Sequence, residues 1–402
     1  MKREVILKDK VNLEGNFNTS DLSRNAFMLK GKLAKEGYDW WWHNFTGYNA
    51  ETGEEKAFFV EFFTINPGLG GEKPIFGQLP KNKAKGIKPS YLMVKAGAWG
   101  KDARQLHRFF GWKNVKIKPD APYEISADDC CCSETFTAGN ISISSEDCAA
   151  HPEWMCDSGS VSWKLKIDKK VAFNVGYGAG KVLRDSDAFE MYWHAEGMKT
   201  AFDGEVIFNG EKYIIDPNRS YGYADKNWGS NFTSPWVWIS SNNIYSRISE
   251  KWLTDTVFDI GGGRPKIGPV SLEGKLLSAM WHEGEAFEFN FSKFWTLTKT
   301  RFECKETEKN IIWKIVQTTP IAKMETRLTC KKSDMLLVNY EAPDGSKKHN
   351  RLWNGGNGKG RIKLYKKELV VRDESSKHIV SRKWVLVDDM EIYNAGCEYG
   401  EY

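Results

Sequence analysis

Short runs of β-branched and aromatic residues, punctuated by turn residues, constrain this chain more than any other feature. Tyr38-Asp39-Trp40-Trp41-Trp42-His43-Asn44-Phe45 leads to the turn signal Asn49-Ala50-Glu51-Thr52-Gly53. Lys56-Ala57-Phe58-Phe59-Val60-Glu61-Phe62-Phe63-Thr64-Ile65 then returns. Such pairs read as antiparallel strands. The texture recurs at 91–98, 140–144, 161–167, 190–194, 204–208 and 212–215. It resumes at 253–260, 275–281, 286–291, 295–303, 311–317, 323–330, 336–341, 361–365 and 384–387. Residues 102–110 read as a short helix capped by Asp102 and stopped by Gly111, and 21–27 as another. No heptad run, amphipathic helix series or short repeat is present. About twenty short strands in two groups predict an all-β chain, two antiparallel barrels or sandwiches packed side by side with few short helices. Phe258-Asp259-Ile260-Gly261-Gly262-Gly263-Arg264-Pro265 reads as the junction, giving an N-terminal unit of about 1–255 and a C-terminal unit of about 256–402. Gly355–Gly360 reads as a flexible loop.

The 402 residues suffice for two such units, and 41% hydrophobic with 13% aromatic residues supplies both cores. The net charge of +5 is dispersed. Its densest run, Lys81, Lys83, Lys85 and Lys88, reads as a solvated loop, and no nucleic-acid motif accompanies it. The N-terminus lacks the apolar core of a signal peptide, and no stretch reaches the roughly 18 apolar residues of a membrane span. The expectation is a cytoplasmic protein. Cys130-Cys131-Cys132, Cys148 and Cys156 lack the paired short spacing of a zinc site. They read as reduced thiols in a loop-rich region.

Several chemistries fall away. Gly176-Tyr177-Gly178-Ala179-Gly180-Lys181 fails as a phosphate loop, because Val182 follows the lysine where Ser or Thr is required, and reads as a glycine-rich hairpin. His282-Glu283 lacks its second zinc-binding histidine, and His194-Ala195-Glu196 lacks a following Pro-Cys-x-x-Cys. There is no GxSxG elbow and no dinucleotide fingerprint, so neither a serine hydrolase nor a nucleotide cofactor is implied.

What remains is Tyr221-Gly222-Tyr223-Ala224-Asp225-Lys226-Asn227-Trp228-Gly229, followed by Trp236-Val237-Trp238. As a strand it would point Tyr221, Tyr223, Asp225 and Asn227 one way and Ala224, Lys226 and Trp228 the other. By the same rule Trp40 and Trp42 share a face, and Trp41 and His43 share the opposite one. One reading is a buried hydrogen-bonded network that fixes strand register. The other is a polar cluster at the base of an aromatic pocket. Glu61, amid phenylalanines, sits either on a solvated face or in a pocket, where burial would raise its pKa.

The stretch Gly222-Tyr223-Ala224-Asp225-Lys226-Asn227-Trp228-Gly229 resembles the Gly-Tyr-Ala-Glu-Lys-Asn-Trp-Gly motif of the tocopherol cyclase family, with Asp225 in place of Glu. Trp238, Asn242 and Gly261-Gly262-Gly263 extend the resemblance, as do the segments 288–295, from Thr326 onward, and 360–364. The resemblance implies two lipocalin-like β-barrels. It also implies a cofactor-free cyclase or isomerase acting on a hydrophobic small molecule, in which a phenolic hydroxyl adds to an alkene and closes an oxygen ring. Such chemistry needs a proton donor. A carboxyl buried among aromatics stays protonated at neutral pH and can serve. Asp225 is the candidate acid, with Tyr223 and Asn227 orienting it, and Glu61, His43 and His194 are secondary proton-transfer candidates. Trp40, Trp42, Trp228, Trp236 and Trp238 would form the substrate walls and stabilise a developing cation through their ring faces. Lys226 and Tyr221 complete the expected substrate contacts. The shorter arm of Asp225 leaves room for a different substrate, including oxa-Michael closure of a chalcone-like phenol. A lipocalin-like carrier without turnover, a hydratase and a Diels–Alder-type cyclase are the alternatives.

Overall fold

The protein, seen here as a computed structural model, is described over residues 17, 20–174, 189–264, 266–267, 270–271, 275–293, 296–371 and 379–400. The expected hairpin at 176–181 lies outside these residues. The described chain is all-β, with four short α-helices, of which Ser145–Ala150 is the longest. Two antiparallel sheets account for nearly all of it.

The first sheet comprises β1 (Tyr38–Asn49), β2 (Glu55–Ile65), β3 (Tyr91–Ala98), β4 (Arg104–Phe110), β5 (Val115–Lys118) and β6 (Glu124–Ala127). It continues with β7 (Cys130–Ser133), β8 (Phe136–Ile143), β9 (Gly159–Phe173), β10 (Met191–Phe208), β11 (Glu211–Ile215) and β12 (Gly222–Gly229). Its spatial order is β4-β3-β2-β1-β11-β10-β9-β8-β7-β6-β5, and β12 bridges β1 and β10. Phe62, Leu92, Leu106, Ile125, Ile141, Leu165, Phe202 and Tyr213 come from eight of these strands and meet in one core. The sheet is therefore curled around its own apolar face as a barrel.

The second group is β13 (Trp236–Ser241), β14 (Asn243–Ser246), β15 (Lys251–Leu253), β16 (Thr256–Gly263), β17 (Lys266–Ile267), β18 (Val270–Ser271) and β19 (Lys275–His282). β20 (Glu285–Phe289), β21 (Lys299–Glu306), β22 (Asn310–Thr318), β23 (Ala322–Lys331), β24 (Met335–Glu341), β25 (Lys347–Val371) and β26 (Ile379–Gly400) follow. The main path is β20-β19-β16-β13-β26-β25-β23-β22-β21, while β17 and β18 form a separate two-stranded pair among the described residues. β13, β14 and β15, which precede residue 256, hydrogen-bond within this sheet. Val237, Ile260, Leu276, Trp313, Leu328 and Ile362 form its core.

A third core joins the two sheets. Alternation on each strand sends one residue inward and the next outward. Trp41 and Phe45 thus face the first barrel, while Trp42 faces the second sheet; Val237 and Ile239 face the second core, while Trp236 and Trp238 face the first sheet. The outward residues make an aromatic layer that includes Tyr38, Phe63, Trp193, Tyr223 and Phe232.

Five segments depart from the sequence reading, the first being Pro80–Ala84, a short α-helix with Pro80 in its first turn where a loop was expected. Residues 104–110 are strand, not helix: each pairs across β3, from Ala98↔Arg104 to Leu92↔Phe110. Asp102 sits at φ 61 in the preceding turn instead of capping a helix. Tertiary pairing overrides local helix preference here. The glycine run 261–263 lies in β16, between β13 and β19 inside the second sheet. Its glycines serve close approach: a Cβ on Gly261 would stand 3.2 Å from the Trp193 ring, and one on Gly263 would collide with the Pro235 carbonyl. Gly355–Gly360 runs within β25, not in a loop, and a Cβ on Gly356 would strike the Trp99 indole. Cys130–Ser133 is strand β7, and all eight cysteines are free thiols. The short helix Leu22–Asn25, with Asp21 accepting from the Ser23 N–H, matches expectation.

Candidate functional site

β12 places its residues on the two faces that alternation requires. It lies between β1 and β10 in the registers Trp42↔Asp225 and Trp193↔Asn227, and every residue of it is buried. Tyr223 and Asp225 face the second sheet. There Trp40, Trp42, Met191, Asp225, Trp236, Trp238, Tyr340, Leu352 and Glu398 line a narrow chamber of about 20 Å³. Freely accessible room is little more than water-sized, so any ring-sized ligand must displace the indole walls.

Asp225 Oδ2 accepts the Trp193 Nε1–H at 2.9 Å and lies 3.2 Å from the Tyr223 hydroxyl. Its other oxygen, Oδ1, is buried and has no hydrogen-bond partner. The same Tyr223 hydroxyl lies 3.0 Å from Asp259 Oδ2, and Asp259 Oδ1 accepts the Trp238 Nε1–H at 3.0 Å. A phenol carries one proton and can donate to only one of two carboxylates. The second contact is a hydrogen bond only if that carboxyl is itself protonated. Burial pushes both aspartates well above the ordinary carboxyl range; Asp225 raises Asp259 further, and Glu398 and Glu196 raise Asp225. Asp225, Tyr223 and Asp259 thus form a chain holding at least one extra proton at neutral pH.

Glu398 is the second carboxyl on the chamber wall. Its Oε2 accepts the Trp236 Nε1–H at 2.5 Å and its Oε1 the Asn354 amide at 2.5 Å. Trp99 holds the far end of Asn354 at 2.8 Å. Burial raises Glu398 to about 7. Tyr340 connects the chamber to a buried ion pair: its hydroxyl donates to Glu61 Oε2 at 3.1 Å, and Lys95 Nζ stands 2.9 Å from the same oxygen. Burial drives Glu61 up and Lys95 down, and each partner partly restores the other's charge.

The structure brings together Asp225, Tyr223, Trp40, Trp42, Trp236 and Trp238, with Glu61 one hydrogen bond away through Tyr340. Asn227 is close by, but its side-chain oxygen accepts from Tyr38 at 2.8 Å rather than orienting Asp225. His43, His194 and Lys226 are turned to the other side of the sheet. Lys226 is ion-paired with Asp39 and sits over the Trp41 ring at 3.8 Å. His43 Nε2 lies 3.9 Å from Glu196, and His194 Nε2 contacts Asn174 at 3.0 Å. Trp228 stacks on Tyr192 at 5.5 Å, away from the chamber. Tyr221, at φ 42, precedes the strand and leaves the alternation, so it lines an outer groove instead of joining Tyr223.

Asp259, Glu398, Trp193 and Tyr340 are contributors that sequence reading missed. The Val257-Phe258-Asp259-Ile260 alternation holds a usable signal: an acid at the same parity as Val257, opposite to Phe258 and Ile260. Among the described residues no group of three His, Cys, Asp or Glu side chains is placed to hold a metal, and no helix is long and apolar enough to cross a membrane.

No family model and no curated protein sequence matches the chain. Among solved structures, kievitone hydratase from Nectria haematococca is similar at 10% identity with TM-score 0.41, over 96% of each chain. CghA is similar at 11% identity with TM-score 0.42, over 96% of this chain and 94% of its own. At that level neither bears on activity, substrate or residue roles.

Proposed function

We propose that the protein is a cofactor-independent cyclase acting on a hydrophobic phenolic substrate, with Asp225 as the proton donor. The observation that carries this reading is the bare Oδ1 of Asp225 on the wall of an aromatic chamber, in a carboxyl that burial keeps protonated. Unpartnered buried oxygens also occur on Glu61, Glu134 and Glu196, but each of those carboxyls is ion-paired with a lysine, whereas Asp225 is served by Trp193 and Tyr223. Here two N–H or O–H groups converge on Oδ2 and leave Oδ1 for something that enters the chamber.

Proton transfer from Asp225 Oδ1 to one alkene carbon forms a C–H bond and leaves positive charge on its neighbour. The phenol oxygen closes on that neighbour, forms the C–O bond and releases its proton. The product is an isomer of the substrate. Negative charge left on Asp225 is met by Trp193 Nε1–H and Tyr223 O–H. The Tyr223 link also lets charge spread toward Asp259, where Trp238 Nε1–H waits. Ring faces of Trp40, Trp42, Trp236 and Trp238 would attract the transient cation, each worth roughly 0.5–2 kcal/mol. Holding both ends of the substrate supplies the near-attack geometry.

The test is turnover of a panel of prenylated hydroquinones and 2′-hydroxychalcones, with no cofactor added, by wild type and Asp225→Asn. Ring closure by wild type that collapses in the variant is the expected result. Tight binding without product from either protein would replace this reading with a carrier.

A further inference from the structure

The ring-closing step leaves one proton without a destination, and the chamber offers a second carboxyl to receive it. We infer that Asp225 and Glu398 work as an acid–base pair across the chamber, Asp225 protonating the alkene and Glu398 accepting the phenol proton. This assignment rests on the reading of the chamber as a cyclase site.

The two groups reach the chamber from opposite sheets, Asp225 on β12 and Glu398 on β26, and both line it. Their hydrogen bonding differs in a way that sorts the roles. Asp225 collects both donors on Oδ2 and leaves Oδ1 bare, which suits a proton seated on Oδ1. Glu398 receives one N–H donor on each oxygen, from Asn354 and Trp236, which suits a carboxylate. Each of its oxygens retains a lone pair for a substrate hydroxyl. The Trp236 and Asn354 donors favour the ionised form of Glu398, and the nearby Glu61 and Lys95 act on it in opposite senses; ionised Glu398 in turn disfavours ionisation of Asp225. Two carboxyls whose surroundings push their protonation apart divide acid and base roles between them. Burial raises both carboxyls, Glu398 to about 7 and Asp225 well above its usual range.

The proton count closes. Asp225 loses a proton to carbon, Glu398 gains one from the phenol oxygen, and a single transfer from Glu398 back to Asp225 resets the site. The required substrate carries a phenolic hydroxyl near Glu398 and an alkene near Asp225 at the same time.

The test combines a pH–rate profile with infrared titration of the carboxyl groups, on wild type, Glu398→Gln and Trp236→Phe. Wild-type turnover should fall as pH drops below about 7, where Glu398 becomes protonated. Glu398→Gln should lose that acid limb and about 10²–10⁴-fold in rate. Trp236→Phe removes a donor to the ionised form, so its acid limb should move to higher pH. An unchanged acid limb in both variants overturns the assignment. Infrared difference spectra separate this failure from failure of the cyclase reading. The wild-type minus Glu398→Gln spectrum should show a carboxyl titrating near neutrality even where no substrate turns over. A Glu398 that stays in one protonation state across that range overturns the pairing by itself.

Discussion

Asp225 and Lys226 are neighbours in sequence, yet the two faces of β12 treat charge in opposite ways. On the barrel-interior face, every buried acid has a cation. Lys226 pairs with Asp39, and Lys169 Nζ lies 2.6 Å from Glu134 and 2.7 Å from Glu196. On the chamber face, Asp225 and Asp259 have no cation in contact among the described residues; indole N–H groups and a phenol serve them instead, and the nearest ion pair, Glu61–Lys95, lies behind Tyr340. Burial raises carboxyls on both faces: Asp39 stands at about 6 and Glu196 at about 7. The difference lies in compensation. A buried carboxyl matched to a lysine is held in place as part of the packing. Asp225, whose two neutral donors share one oxygen and whose ionisation Glu398 disfavours, keeps its proton and can give it away.

That contrast can be broken at several points. The largest effect is expected at Asp225→Asn, where turnover should fall about 10²–10⁴-fold while the denaturation midpoint changes little. A large loss of stability with unchanged turnover would move Asp225 to the structural side. On the interior face the expectation reverses. Lys226→Met strands Asp39 without its partner and should cost about 3–5 kcal/mol in urea unfolding. The double variant Asp39→Asn/Lys226→Met should recover most of that loss. Failure to recover would show that the pair was not the source.

A smaller effect concerns acid stability. His107 is buried and held at about 3 against an ordinary 6.5, chiefly by burial and then by Lys95, while Trp154 O accepts from its ring at 2.7 Å. Between those two values the unfolded chain binds one more proton than the folded one at this site. Its contribution therefore makes stability fall as pH drops through that window, by up to about 1.4 kcal/mol per pH unit. His107→Gln should remove that slope in pH-dependent unfolding, and an unchanged slope would contradict the assignment. The smallest effect is expected at Gly261→Ala. The added methyl meets the Trp193 ring at 3.2 Å, and mild overpacking should cost about 1–3 kcal/mol and perturb indole fluorescence. A neutral result would show that the two sheets have slack at that contact.

Much of this architecture was legible in the sequence because it is local. Strand runs such as 38–45, 56–65 and 91–98 carry their own pattern, and alternation alone separated Asp225 from Lys226 and Trp40 and Trp42 from Trp41. The resemblance around Tyr223–Trp228 drew attention to β12, whose Asp225 lines the chamber. The unread parts are non-local. Glu398 lies far along the chain from Asp225, and no spacing rule links β12 to β26. Gly261 and Gly356 look like loop residues until the indoles of Trp193 and Trp99 are placed against them. Residues 104–110 have helix-compatible composition, and only the presence of β3 beside them decides for strand. Tyr221 looked like a member of the motif, and a left-handed backbone turn removes it.

The central claim is that Asp225 is a proton donor rather than a packed carboxyl. The most direct measurement is single-turnover ring closure by wild type and Asp225→Asn on the same prenylated hydroquinone, with binding followed in parallel by tryptophan fluorescence. Binding retained in both proteins and closure lost only in the variant is the predicted result. Equal closure rates in the two would contradict it and return the Asp225–Tyr223–Asp259 chain to the role of inter-sheet packing.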